Sequence, residues 1–255
     1  MDNYALLKEK LSTRKNVKGT QIFFFNEPML IWEINKTGSD FLVFDMEHGR
    51  LNTEMLAPHL QVCRLLKLPS IVRVQDTAYH LIAKTMDMGA DGIMLPRTET
   101  LAQLETAVNA MFFHPVGKKG YGGLMQFREN ESFGEYQNNR FLLPQIESPK
   151  GVEALPAMLE SYGDVISGII IGPYDMSCMV ETPQDVRSGA VLDAIRRTVG
   201  ICADHGKSVG IYCNNAADAA DYLKMGANIF WMGTDRGFYV EGLTQEFQAL
   251  DRLIS

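Results

Sequence analysis

Short apolar runs alternate with amphipathic stretches along the whole chain. The runs cover residues 20–25, 41–45, 70–74, 92–95, 142–146, 168–171, 208–212 and 228–231, and most are unbroken rather than alternating in polarity. Runs of this length bounded by turn residues predict parallel strands covered on both faces. The intervening stretches carry helix punctuation. Asn26-Glu27-Pro28 opens a helix and Gly38 closes it. Asp76-Thr77 opens another, which ends at Met88-Gly89, and Leu101, Leu104, Val108 and Met111 share one face of a third. Residues 216–223 form a further helix that stops at Gly226. Met225-Gly226-Ala227-Asn228 echoes Met88-Gly89-Ala90-Asp91, and in both a helix ends on glycine and feeds a strand. A last helix over 239–254 sets Leu243, Phe247, Leu250 and Leu253 in one stripe, suited to packing on its own barrel or on a neighbour.

Eight βα units in one chain predict a single (β/α)8 barrel domain over residues 1–255, an α/β TIM barrel. A doubly wound open sheet fits less well, because Phe25-Asn26-Glu27-Pro28 after the first strand is not a glycine-rich dinucleotide turn. Residues 113–140 break the rhythm with polar, glycine-containing sequence. A loop of this length predicts a lid, an interface or a mobile segment.

The chain's 255 residues suffice to bury a full core, with 46% apolar and 22% charged residues. A net charge of -7 and the lack of a Lys/Arg-rich tract argue against nucleic-acid and anionic-membrane partners. The four cysteines, Cys63, Cys178, Cys202 and Cys213, form no C-x-x-C pair, so they signal neither zinc nor redox chemistry. Reduced thiols, no apolar signal core and no membrane-length apolar run lead to a cytoplasmic expectation.

Residues at the C-terminal ends of barrel strands line the active site. Asp45-Met46-Glu47-His48-Gly49 closes the second strand, Ile71-Val72-Arg73-Val74 forms the third, and Gln145-Ile146-Glu147 ends the fifth. Ile171-Gly172-Pro173-Tyr174-Asp175-Met176-Ser177 follows the sixth as a tight turn into a helix. Glu147 and Asp175, from adjacent strands, suit a hard divalent cation; taken alone, Glu147 is equally a cap for the helix at Pro149. Arg73, in a buried strand, must be paired or must meet an anion. Its partner is either a substrate oxygen or an acid such as Asp45 or Glu47. His48, beside Asp45, is placed for general acid or base work. His59, His80 and His205 fall in helical patterns and His114 begins the long loop. No lysine falls within a predicted strand, which disfavours a Schiff-base mechanism.

These motifs, in this order from about Gly19 to Gly233 and together with Gly89-Ala90-Asp91-Gly92-Ile93-Met94-Leu95-Pro96 and Gly151-Val152, resemble the HpcH/HpaI family of class II, metal-dependent pyruvate aldolases. The resemblance is to enzymes of the 2,4-dihydroxyhept-2-ene-1,7-dioate and 2-keto-3-deoxy sugar acid aldolase type. It implies a barrel of the phosphoenolpyruvate/pyruvate-domain type and a divalent metal, Mg²⁺ or Mn²⁺ or a similar ion such as Co²⁺ or Zn²⁺. It also implies a 2-oxo acid substrate and a homohexamer, a trimer of dimers that exchange the C-terminal helix. By position, Glu147 and Asp175 would hold the metal, and Arg73 would bind the keto oxygen and stabilise the enolate. His48 would be the base, oriented by Asp45. Asp87 would support the histidine of a neighbouring subunit. Gln145 would position water or substrate, and the amides of Tyr174 and Asp175 would hold the substrate carboxylate. The implied reaction is aldol cleavage or formation of a 4-hydroxy-2-oxo acid.

The chain departs from the family pattern near the pocket entrance. Phe113-His114-Pro115-Val116-Gly117-Lys118-Lys119-Gly120 replaces the usual motif before the long loop, and Gln21 stands where an aromatic residue is common. Cys178-Met179-Val180-Glu181-Thr182-Pro183 replaces a small-residue turn, and Tyr174 is bulkier than its usual counterpart. Two alternatives follow: condensation of oxaloacetate with acetyl-CoA on the same scaffold, as in siderophore pathways, and a non-catalytic barrel. The second would leave a buried Arg73 and unpaired acids without a use.

Overall fold

The computed structural model describes residues 2–123 and 125–254. In chain order the elements are α1 (Asn3–Ser12), β1 (Val17–Ile22), α2 (Leu30–Asn35), β2 (Phe41–Asp45), α3 (Thr53–Leu66), β3 (Ser70–Arg73), α4 (Tyr79–Asp87), β4 (Gly92–Leu95), α5 (Leu101–Met111) and α6 (Phe133–Asn138). There follow β5 (Phe141–Ile146), α7 (Pro149–Tyr162), β6 (Ile169–Ile171), α8 (Pro173–Met179), α9 (Gly189–Asp204), β7 (Val209–Cys213), α10 (Ala216–Lys224), β8 (Ile229–Thr234) and α11 (Asp235–Ile254). The eight strands are parallel and close into a barrel in sequence order, β1 against β8. This is the predicted (β/α)8 topology.

Alternation along the strands builds two cores. Outward positions such as Leu42, Phe44, Val72 and Ile93 meet the surrounding helices. Inward positions Val17, Phe41, Val43, Ile71, Met94, Phe141, Leu143, Ile170 and Ile229 fill the barrel. Helix α1 lies ahead of the first strand, where no element is predicted. Its Asp2 cap accepts from the Ala5 amide, and Leu7 and Leu11 join the inner core from below. The same period of two, continued toward the C-terminal strand ends, brings Gln21, Asp45, Arg73, Gln145, Gly172 and Tyr212 to the inner face. The site is therefore the polar top of an apolar barrel.

Strand β1 lies three residues upstream of its predicted span. The amides of Phe23, Phe24 and Phe25 donate to the Asp235 carboxylate at the start of α11. This draws an aromatic, strand-prone triplet out of the sheet. The shift also puts Lys18 into a strand, but its side chain is exposed and lines a groove outside the barrel. Among the described residues, no lysine lines the cavity at the top of the barrel.

Residues 113–140, Leu124 aside, are anchored rather than patternless. Phe113, Phe127, Phe133 and Tyr136 form an aromatic cluster. Lys119 Nζ donates to Asp87 Oδ1 at 2.5 Å and to Gln126 Oε1 at 2.8 Å. Arg128 pairs with Asp91, and Arg140 pairs with Glu131 at 2.6 Å.

The first turns of α11 touch β1 and β8, and beyond them Leu243, Phe247, Leu250 and Leu253 stand exposed in the single chain. Between α11 and α2 lies a groove of about 540 Å³ lined by Phe25, Leu30, Ile34, Met232 and Phe238. All four cysteines are free thiols. Among the described residues, no helix is long and apolar enough to cross a membrane.

Candidate functional site

Strand β2 ends on Asp45, whose Oδ1 accepts from the amides of Glu47 at 3.0 Å and His48 at 3.2 Å. A short carboxylate reaches its own backbone two residues on, and so turns the chain at the rim. Asp45 faces Arg73 in the β2–β3 register. It accepts from Arg73 Nε at 2.9 Å and from Nη2 at 2.5 Å. Arg73 is only 7% exposed. Burial works against its charge, but the hydrogen bonds and charge of Asp45 outweigh burial and raise its pKa. The Trp231 ring lies under the guanidinium, 5.0 Å from its central carbon to the ring centre. Glu47 Oε2 is 3.6 Å from Arg73 Nη1 and 3.7 Å from His48 Nε2, and Glu47 Oε1 is 3.2 Å from Arg97 Nε. Burial nonetheless raises the Glu47 carboxyl above its usual range.

Strand β5 delivers Gln145 and Glu147, both buried. Glu147 Oε1 accepts from the Arg97 amide at 2.6 Å and Oε2 from Gln145 Nε2 at 2.5 Å. Arg97 holds φ at 47°, the left-handed region, in the turn that presents this amide. Burial, then the charge of Asp175, pushes Glu147 up to about 8. A Cβ on Gly172 would overlap Glu147 Oε2, so glycine at the end of β6 admits the carboxylate against the backbone. Pro173 starts α8, and Asp175 lies exposed in its first turn.

A cavity of about 320 Å³ opens here, lined by Gln21, Phe23, His48, Arg73, Gln145, Gly172, Pro173, Tyr174, Asp175, Tyr212, Asn214, Trp231 and Thr234. A second cavity, also about 320 Å³, holds Glu147, Arg97, Glu99 and Cys178 and shares Asp175 with the first. Glu147 thus sits at the junction rather than in the first cavity itself.

The structure brings His48, Arg73, Asp45, Gln145, Tyr174, Asp175 and Glu147 to one rim. Asp45 reaches His48 through the backbone amide, and the carboxylate nearest the His48 ring is Glu47. Asp87 stands apart at the end of α4, paired with Lys119 of its own chain. Sequence reasoning assigns no role to Arg97, Tyr212, Asn214 or Trp231, whose place depends on closure of the barrel. Glu47 carried a signal, since it lies inside the Asp45–His48 motif. His59 is buried in α3 with Nδ1 on the Met55 carbonyl, and His205 caps α9.

The donor set fits a hard divalent cation. Burial first, and then the charge of Asp175, raise the Glu147 carboxyl to about 8, and a cation held by the two acids would offset both effects. Among the described residues no cluster of three or more His, Cys, Asp or Glu exists to cage an ion. The site therefore suits an ion that keeps water and substrate oxygens, and gives no basis for a nitrogen- and sulfur-ligated zinc centre.

The family model for HpcH/HpaI aldolase/citrate lyase matches residues 22–241. A hydroxypyruvate/pyruvate aldolase of Delftia acidovorans is 31% identical over 83% of this chain and 80% of its own. A 2-keto-3-deoxy-L-rhamnonate aldolase of Klebsiella pneumoniae is 30% identical over 86% of this chain and 80% of its own. Among solved structures, an HpcH/HpaI aldolase from Desulfitobacterium hafniense superposes with TM-score 0.87 at 22% identity, covering 96% of each chain. Citrate synthase SbnG superposes with TM-score 0.83 at 26% identity, over 96% of this chain and 97% of that one.

Proposed function

The chain belongs to the HpcH/HpaI aldolase/citrate lyase family, and we propose that it cleaves or forms 4-hydroxy-2-oxo acids through a pyruvate enolate, with the whole chain acting as one barrel domain. One observation carries this reading: a buried, Asp45-braced Arg73 faces the same rim as the Glu147–Asp175 pair.

Glu147 and Asp175 hold Mg²⁺ or Mn²⁺ in this reading. When bound, the cation acidifies the methyl group of a 2-oxo acid and supports negative charge on its keto oxygen. Arg73 meets the same oxygen, and its pairing with Asp45 pre-orients it so that no reorganisation is needed as charge develops. The amides of Tyr174 and Asp175, in the first turn of α8 and without helical acceptors, hold the carboxylate. Gln145, tied to Glu147, fixes the substrate or a water beside it. His48 lines the cavity and moves the proton of the 4-hydroxyl, with Glu47 as the acid beside its ring.

The assembly we assign is a homohexamer, a trimer of dimers exchanging α11. It is supported by the exposed stripe on α11 and the apolar groove beside α2, since isolated apolar surface of this kind calls for a partner. The described residues of 113–140 line neither cavity of the site, which favours an interface role over a lid. In such an assembly Asp87 would reach the His48 side of a neighbour. The four free thiols fit a reducing compartment, the cytoplasm.

Methyl exchange of pyruvate in D₂O, followed by NMR with and without Mn²⁺, tests the reading. Exchange is expected to require both the metal and Arg73, and to vanish in Arg73→Ala. No exchange in folded, metal-loaded protein would reject it. The likeness to citrate synthase SbnG supports a second reading, condensation of oxaloacetate with acetyl-CoA, which thiol release would reveal.

A further inference from the structure

Arg97 follows β4 in the turn whose amide reaches Glu147, and its side chain is 57% exposed. An exposed arginine in a turn is ordinarily a solvated cation. This one is anchored along its whole length. Its backbone sits in the left-handed region at φ 47°, which a residue with a side chain holds only where its surroundings enforce it. The amide donates to Glu147 Oε1 at 2.6 Å, and the carbonyl accepts from Nε2 of Gln103, in the capping box of α5, at 3.2 Å. The guanidinium donates from Nη2 to the Gln75 carbonyl, just past β3, at 2.8 Å. One residue thus ties together the C-terminal ends of β3, β4 and β5.

The guanidinium held in this way lies against Glu47. Arg97 Nε is 3.2 Å from Glu47 Oε1, nearer than Arg73 Nη1 at 3.6 Å or His48 Nε2 at 3.7 Å from Oε2. Arg73 already serves Asp45 through two nitrogens. The two oxygens of Glu47 are therefore divided, Oε1 to Arg97 and Oε2 between His48 and Arg73. The Glu47 side chain is only 9% exposed, so this is no pair of mobile surface side chains. A drier acid feels its cation more strongly, and the planar fork of arginine fixes direction as well as distance. The His48 side chain, by contrast, is 58% exposed, and Asp45 reaches only its backbone amide. Among the described residues, Glu47 is the one acid within ion-pair distance of the His48 ring. What orients Glu47 therefore orients His48.

We infer that Arg97 is a positioning residue of the site: it clamps Glu47, and through Glu47 it sets the His48 ring for proton transfer, without touching the substrate. The inference rests on the aldolase reading above, in which His48 moves the proton of the 4-hydroxyl. Loss of the guanidinium would take from Glu47 Oε1 its nearest cation and free the carboxylate to swing about its side-chain torsions, and the His48 ring with it. The Arg97 amide belongs to the backbone and would still meet Glu147. A misplaced proton-transfer group lowers turnover and leaves substrate binding as it was.

The test follows cleavage of 4-hydroxy-2-oxopentanoate to pyruvate and acetaldehyde by Mn²⁺-loaded, full-length protein. Arg97→Ala is expected to lower kcat by about 10²-fold, the scale of a misplaced catalytic group, with KM near the wild-type value. Arg97→Gly, which fits the left-handed backbone without strain, should lose as much kcat and keep the wild-type melting temperature, so that unfolding cannot account for the loss. Arg97→Lys should recover part of it, since lysine keeps the charge but not the fork. Mn²⁺ affinity, measured by electron paramagnetic resonance, should be unchanged in all three. Combined with Glu47→Gln, Arg97→Ala should lower kcat no further than Glu47→Gln alone, because residues acting in series are not additive. Losses that multiply, a raised KM at unchanged kcat, a weakened Mn²⁺ affinity, or a kcat near wild type in Arg97→Ala would each overturn this inference alone. Absence of pyruvate methyl exchange in metal-loaded wild type would overturn it together with the aldolase reading.

Discussion

Two glutamates, the half-buried Glu131 and the buried Glu147, titrate in opposite directions. Burial pushes both upward. At Glu131 two nitrogens of Arg140, at 2.9 and 2.6 Å, outweigh burial and hold the carboxyl below its usual range. At Glu147 the neighbours are another acid, Asp175, and neutral donors, so the carboxyl rises to about 8. The difference separates structure from function at the level of single residues. A buried acid with its own cation belongs to the scaffold. A buried acid facing a second acid is where the proposed reading puts a cation from outside the chain.

The contrast is sharpened most by removing each charge in turn. Glu147→Gln is expected to lower turnover at saturating Mn²⁺ by at least about 10³-fold, because cation and Arg73 must act together on the developing charge. The same variant should melt no lower than the metal-free wild type. Retention of a tenth of wild-type turnover would erase the distinction.

Glu131→Gln should do the reverse. It strands the Arg140 guanidinium and is expected to destabilise the fold by about 3 to 5 kcal/mol in urea denaturation, with kcat near wild type. A loss under about 1 kcal/mol would show Arg140 finding another partner.

The smallest effect is one of pH. The Glu147 pKa is raised on folding, so its contribution to stability is complete below its unfolded value near 4.3 and is lost as pH climbs through about 8. Metal-free protein should therefore weaken, through this group, between about pH 4 and about pH 8, and the rise in melting temperature on adding Mn²⁺ should grow over the same interval. Differential scanning fluorimetry with and without Mn²⁺ reads this directly; a pH-independent rise would mean the cation binds elsewhere.

What the sequence disclosed follows the reach of each interaction. Strands β2 and β4 keep their predicted bounds because a local apolar run specifies them. Strand β1 moves by three residues because its competitor, Asp235, lies more than 200 positions away. The charged half of the site was legible for a physical reason: Arg73 inside an apolar run demands compensation, and Asp45 one strand away provides it. Other residues of the rim were not. Trp231 reads as one more strand aromatic, Asn214 as a turn residue and Arg97 as a surface cation. Barrel closure sets Trp231 against Arg73, the rim brings Asn214 to Tyr174, and the turn after β4 points the Arg97 amide at Glu147.

Helix α1 corks the barrel from below, its Leu7 and Leu11 seated in the inner core. The cavity is then a blind well, with Arg73 at its depth and the half-open Tyr174 and Asn214 nearer the mouth. Traffic in such a well has a forced order. In cleavage the aldehyde departs first and pyruvate last, so pyruvate should inhibit competitively against the 4-hydroxy-2-oxo acid and the aldehyde should not.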